Sequence, residues 1–134
     1  MIIIDGLLLA RTVGMDLLAG HNPGAGNFDV HAGELETSLM LAVRPELVNM
    51  DKAVCHFSKI HAAFAACSCT KGPLLQQMAA VGMREWKPFG EDGVTGDATL
   101  ATAEKGHQII SRMVKELAEH FATNLFAASE VSLK

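Results

Sequence analysis

Apolar positions along the chain gather into short periodic runs separated by glycine-rich breaks. Ile2, Ile3 and Ile4 form a β-branched run ahead of Asp5-Gly6, and such a run bounded by a turn signal predicts a strand buried on both faces. From Leu7 to Ala19 the residues Leu8, Val13 and Leu17 recur at helical spacing, with Gly14 as a weak point and Gly20 as a stop. His21 to Asn27 concentrates Gly, Pro and Asn, residues that supply turns and positive φ, and reads as a loop. A helical pattern resumes near Gly33, placing Leu35, Leu39, Ala42 and Val43 on one face until Pro45 ends it.

The middle of the chain is less periodic. Lys52 to Phe57 suits a short strand, Ile60 to Cys67 a helix or a loop, Leu74 to Met83 a helix, and Arg84 to Gly90 an extended or looped segment. Gly93 to Thr102 is a glycine-punctuated loop that delivers Thr102 as the N-cap of the next helix, with Glu104 near its positive end. In that helix Ile109, Ile110, Met113, Val114, Leu117 and Phe121 share one face, opposite Gln108, Arg112, Lys115, Glu116 and Glu119, and the face is expected to cover a sheet. Residues 126–134 read as a tail.

Composition narrows the function classes. A chain of 134 residues, 49% hydrophobic, suits a single domain spanning 1–134. A net charge of -4, with Lys and Arg thinly spread, provides no basic stripe for nucleic acid. The apolar stretch from Ile2 to Ala10 is interrupted and too short to span a membrane, and it lacks the basic flank of a signal peptide, so the expected location is cytoplasmic. Cys55, Cys67 and Cys69 are an odd set suited to a reducing compartment. A zinc reading of Cys67 and Cys69 with His56 and His61 lacks a second matching pair, and inert thiols are the simpler expectation.

The densest ionisable group is Asp29, His31, Glu34 and Glu36, at the start of the second helix. Carboxylates in a first turn can simply stabilise exposed amides. A histidine beside them can be held in one tautomer and handle protons near neutral pH, which amide hydrolysis needs at the leaving nitrogen. A structural role for His31, through local hydrogen bonds, is the competing reading. His21 and Asn22 lie in the loop ahead, where they would either touch a substrate or face solvent. Asp97 would cap its own turn or reach a site, and Lys105 would face solvent or a neighbouring site.

The run Asp29-Val30-His31-Ala32-Gly33-Glu34-Leu35-Glu36-Thr37-Ser38-Leu39-Met40-Leu41, followed by Arg44-Pro45-Glu46-Leu47-Val48, resembles the central segment of the creatininase family. A second stretch, Gly93-Val94 with Gly96-Asp97-Ala98 and Ala101-Thr102-Ala103-Glu104-Lys105-Gly106, is similar to the family's closing motif and follows in the expected order. The resemblance runs from about Ile2 to Phe121 and corresponds to the later half of a family member. The earlier half, which brings the family's main metal ligands, has no counterpart in this sequence.

The resemblance implies an α/β fold: a partial three-layer sandwich, mainly parallel in its sheet, with flanking helices. It implies a metal-dependent amidohydrolase, using zinc, manganese or iron on a cyclic amide or formamide-like C–N bond, with a metal-activated water as the attacking group. His31 would protonate the departing nitrogen. Glu36 would orient His31 or complete the metal shell, with Asp29, Glu34 and Trp86 at the small-molecule substrate. Completion would come from a complementing chain or from a homo-oligomer, since half a sandwich leaves apolar surface and an unpaired sheet edge. The alternative is a non-catalytic, truncated relative serving as an oligomerisation or binding module.

Overall fold

The computed structural model describes residues 5–22, 25, 27, 29–57 and 92–129. The expected first strand, the segments between Ile60 and Gly90, and Trp86, Cys67 and Cys69 lie outside them.

Helix α1 runs Gly6–Gly14 and continues as a 3-10 turn over Met15–Leu17. Asp5 starts it, its carboxylate accepting the N–H groups of Leu7 and Leu8 at 3.0 Å each, two donors that a helix start leaves without partners. Helix α2 spans Glu34–Val43 and gives way to a 3-10 turn over Pro45–Leu47, as the position of Pro45 leads one to expect. Two short strands follow, β1 at Cys55–His56 and β2 at Gly96–Asp97, paired antiparallel with Cys55 opposite Asp97 and His56 opposite Gly96.

Helix α3, Ala103–Ser129, is the longest element, about 40 Å at 1.5 Å per residue. Thr102 caps it as predicted, its hydroxyl oxygen accepting the Lys105 N–H at 3.2 Å. Among the described residues no helix is long and apolar enough to cross a membrane, since the polar face of α3 interrupts it.

Packing centres on α3 against α2 and α1, with Ala10, Leu18, Leu35 and Ile109 forming the buried cluster and Leu39 and Met113 against it. Among the described residues, then, the apolar face of α3 meets helices where a sheet was expected. Val43 and Val114, placed on apolar faces by periodicity, are each 61% exposed. The glycine read as a weak point in the first helix has a packing role. A Cβ on Gly14 would come within 2.8 Å of Ile109 Cγ1, so glycine lets the core isoleucine approach the backbone. The α2–α3 crossing is tighter still, because a Cβ on Gly106 would lie 2.0 Å from the Ser38 carbonyl oxygen.

Candidate functional site

The two sequence motifs meet at residue 31. His31 and Thr95 exchange backbone hydrogen bonds, His31 N–H to Thr95 O at 3.0 Å and Thr95 N–H to His31 O at 2.8 Å, and Val30 N–H also donates to Thr95 O at 2.8 Å. Arg11 reaches across from α1 and donates to the carbonyls of Asp29 and Val30. The segment carrying His31 is thereby held from both sides before α2 begins.

Between His31 and α2 the chain makes a sharp turn. Ala32 has φ of 51°, a left-handed conformation that L side chains rarely adopt outside functional or tightly held turns. This conformation brings the Glu36 carboxylate back over the turn, where Oε2 accepts the Ala32 N–H at 2.7 Å and lies 3.6 Å from His31 Nδ1. The pair is accessible, with side-chain exposures of 44% for His31 and 23% for Glu36. Ala32 and Glu36 also line an open groove of about 330 Å³ on the surface of α2.

Asp29 sits inside instead. It is 1% exposed and its Oδ2 accepts the Glu34 N–H, so it closes the start of α2 from five residues upstream. Burial pushes its carboxyl above the usual range, against the pull of that hydrogen bond and of nearby Arg11. Its Oδ1 is buried with no hydrogen-bond partner among the described residues. Gly33 and Gly96 make room for it, because a Cβ on either would come within 2.9 Å of Oδ2 or closer.

Glu34 is fully buried as well, and its carboxylate is engaged within the fold. It accepts N–H groups from Ala19 at 3.1 Å and Gly20 at 2.7 Å and pairs with the Lys105 ammonium, which also donates to Leu100 O at 2.8 Å. Glu34, expected at the substrate, has no exposed surface in this structure. Lys105, expected at solvent or a neighbouring site, joins α3 to the start of α2 through this ion pair. Asp97 caps its own turn, accepting Thr99 N–H at 3.0 Å.

His21 takes a supporting place beneath the His31 segment. Its Nδ1 accepts the Asp29 N–H at 3.3 Å, and burial together with the Arg11 charge holds its pKa below the ordinary histidine value, which keeps that nitrogen an acceptor. Residue-by-residue reading passed over Arg11, Thr95 and the shape of Ala32. The His-Ala-Gly run is the local signal for the last of these, because a small residue before glycine suits a sharp turn. Trp86 lies outside the described residues.

His31 and Glu36 are two adjacent potential metal donors, yet no group of three or more His, Cys, Asp or Glu able to hold an ion occurs among the described residues. The residues described here do not fit a divalent ion by themselves. What the arrangement offers chemically is an imidazole oriented by a carboxylate at the edge of a groove, a pairing suited to moving a proton to or from a bound molecule.

A model of the family described as creatinine amidohydrolase matches residues 9–121. The chain is 32% identical over 91 residues to a mycofactocin precursor peptide peptidase of Mycolicibacterium smegmatis, covering 68% of this chain and 32% of that protein. It is 34% identical over 99 residues to the protein of the same name from Mycobacterium ulcerans, covering 74% of this chain and 34% of that protein. The chain therefore spans about a third of the curated relatives it matches. No solved structure matches it. With the family model covering most of its length, and with both family-like motifs joined at His31 and Thr95, the chain belongs to the creatininase family.

Proposed function

We propose that this chain contributes the proton-transfer part of an amidohydrolase site that cleaves a cyclic amide, a formamide or a peptide-like C–N bond. The observation that carries the reading is the His31–Glu36 pair, 3.6 Å apart, accessible, and held by the left-handed turn at Ala32. Glu36 orients the imidazole. His31 delivers a proton to the departing nitrogen, without which an amide would have to expel a strongly basic anion.

The family's members are typically metalloenzymes. The described residues hold no complete ligand set for an ion. In this reading further ligands come from outside the described residues. The peptidase name of both relatives supports including peptide-like amides among the candidate substrates.

The test is amine release from creatinine, a formamide and a short peptide, with the chain alone and co-expressed with its upstream reading frame, and with metal content recorded for each. Hydrolysis that drops about 100-fold or more in His31→Gln, the usual range for losing a general acid, supports the reading. Absence of both metal and hydrolysis in every preparation would refute it in favour of a non-catalytic binding module, and full activity in His31→Gln would remove His31 from the chemistry.

A further inference from the structure

Glu36 belongs to two features at once. Its carboxylate faces His31, and it also lines the groove of about 330 Å³, with Ala32 at the same end. Beyond Glu36 the lining is made by Met40 from α2 and by Leu47 and Val48 from the turn that follows. Met40 is 41% and Leu47 63% exposed, so these apolar side chains present surface that the core does not use.

The remaining lining groups are polar, and they bond to their own backbone. Thr37 Oγ1 donates to Ala32 O at 3.3 Å, and Asn49 Oδ1 accepts the Asp51 N–H at 3.1 Å. Among the described residues no Lys, Arg or His lines the groove, and Glu36 is the acidic member. A carboxylate or phosphate entering here would give up hydration with no cation among the described lining residues to receive it and would meet the Glu36 charge. An aliphatic group would instead replace water against thioether and branched carbons, which is favourable in proportion to the apolar area covered. The volume suits an occupant the size of a small molecule, whose sites begin at about 300 Å³.

Resting on the hydrolytic reading of His31 and Glu36, we propose that this groove is the subsite for an uncharged aliphatic group beside the scissile amide, with Met40, Leu47 and Val48 as specificity-determining residues. The dyad and the groove share Glu36, so a substrate whose amide lies at His31 places its neighbouring group along α2.

The experiment titrates the isotope-labelled full chain with N-acetyl-leucinamide and with N-acetyl-aspartamide, following backbone amide shifts. Expected are shifts at Thr37, Met40, Leu47 and Val48 with the leucine probe, and binding of the aspartate probe at least about tenfold weaker, the lower end of what a pocket mismatch costs. Leu47→Asp, at an exposed position, weakens the leucine probe by about tenfold or more, whereas Leu47→Met, which conserves volume, stays within about threefold. Equal binding of the two probes, or shifts confined to other surfaces, overturns the proposal. A fall in native mass on Leu47→Asp also overturns it, because the groove is then a contact between copies. Selective binding at the groove without hydrolysis sinks the hydrolytic reading while supporting the aliphatic subsite. Hydrolysis indifferent to the flanking group does the reverse.

Discussion

Adding one methyl group at Gly106 tests how closely α2 and α3 are held. A Cβ there would lie 2.0 Å from Ser38 O and 2.7 Å from Ala42 Cβ. The first obstacle is backbone, so no side chain can swing away, and the helices must separate by an ångström or more. Overpacking of this kind costs about 3 kcal/mol at the upper end of its usual range. Alanine returns about 1 kcal/mol through its better helix propensity, leaving a net loss of about 2 kcal/mol. For 134 residues an unfolding entropy near 0.28 kcal/mol/K converts this to a Tm lower by about 7 °C. Gly6→Ala is the matched control, because a Cβ at Gly6 meets none of the described residues within 4 Å and should stabilise the chain by about 0.5 kcal/mol. Thermal unfolding followed by circular dichroism reads both variants. If Gly106→Ala melts at or above the parent temperature, the close crossing is refuted.

Lys105→Met removes the cation from a fully buried Glu34 and should cost about 3 kcal/mol, seen as a lower urea midpoint; an unchanged midpoint would show that the backbone donors alone satisfy the carboxylate. Asp29 has a folded pKa raised above its ordinary value of 3.8, so the folded state holds the proton more tightly. Its contribution to stability therefore falls as pH rises from that value through the folded pKa, and Asp29→Asn should flatten this part of the stability profile. Parallel profiles for the parent and Asp29→Asn in urea titrations taken upward in pH from the ordinary carboxyl value would contradict it. Ala32→Gly relieves a left-handed alanine and should raise stability by about 0.5 to 1 kcal/mol and, on the proposed hydrolytic reading, lower kcat through a looser His31–Glu36 pair; a loss of stability would show that the turn carries no strain.

Local physics made several elements legible. Thr102 caps α3 because a hydroxyl beside a helix start has an unpaired N–H to bond, and Pro45 follows the end of α2 because its ring cannot continue a helix. The closeness of His31 and Glu36 could be expected from their spacing across a helix start. What Gly14 and Glu34 touch was not legible for one shared reason, since their contacts come from another part of the chain. Propensity marks Gly14 as weak, whereas Ile109, far along the chain, makes glycine necessary there.

The sequence by itself determined the start of α3 at Thr102, the end of α2 before Pro45, the two motifs and their order, because each depends on residues within a turn or two of one another. Tertiary structure alone decided that Thr95 would pair with His31, that Lys105 would neutralise a buried Glu34, and that Asp29 would turn inward between Gly33 and Gly96. It also decided which apolar residues after Glu36 would line a groove and which would enter the core. Such contacts arise only when several elements pack together, and the spacing of residues along one helix or loop carries no record of the partner it will meet.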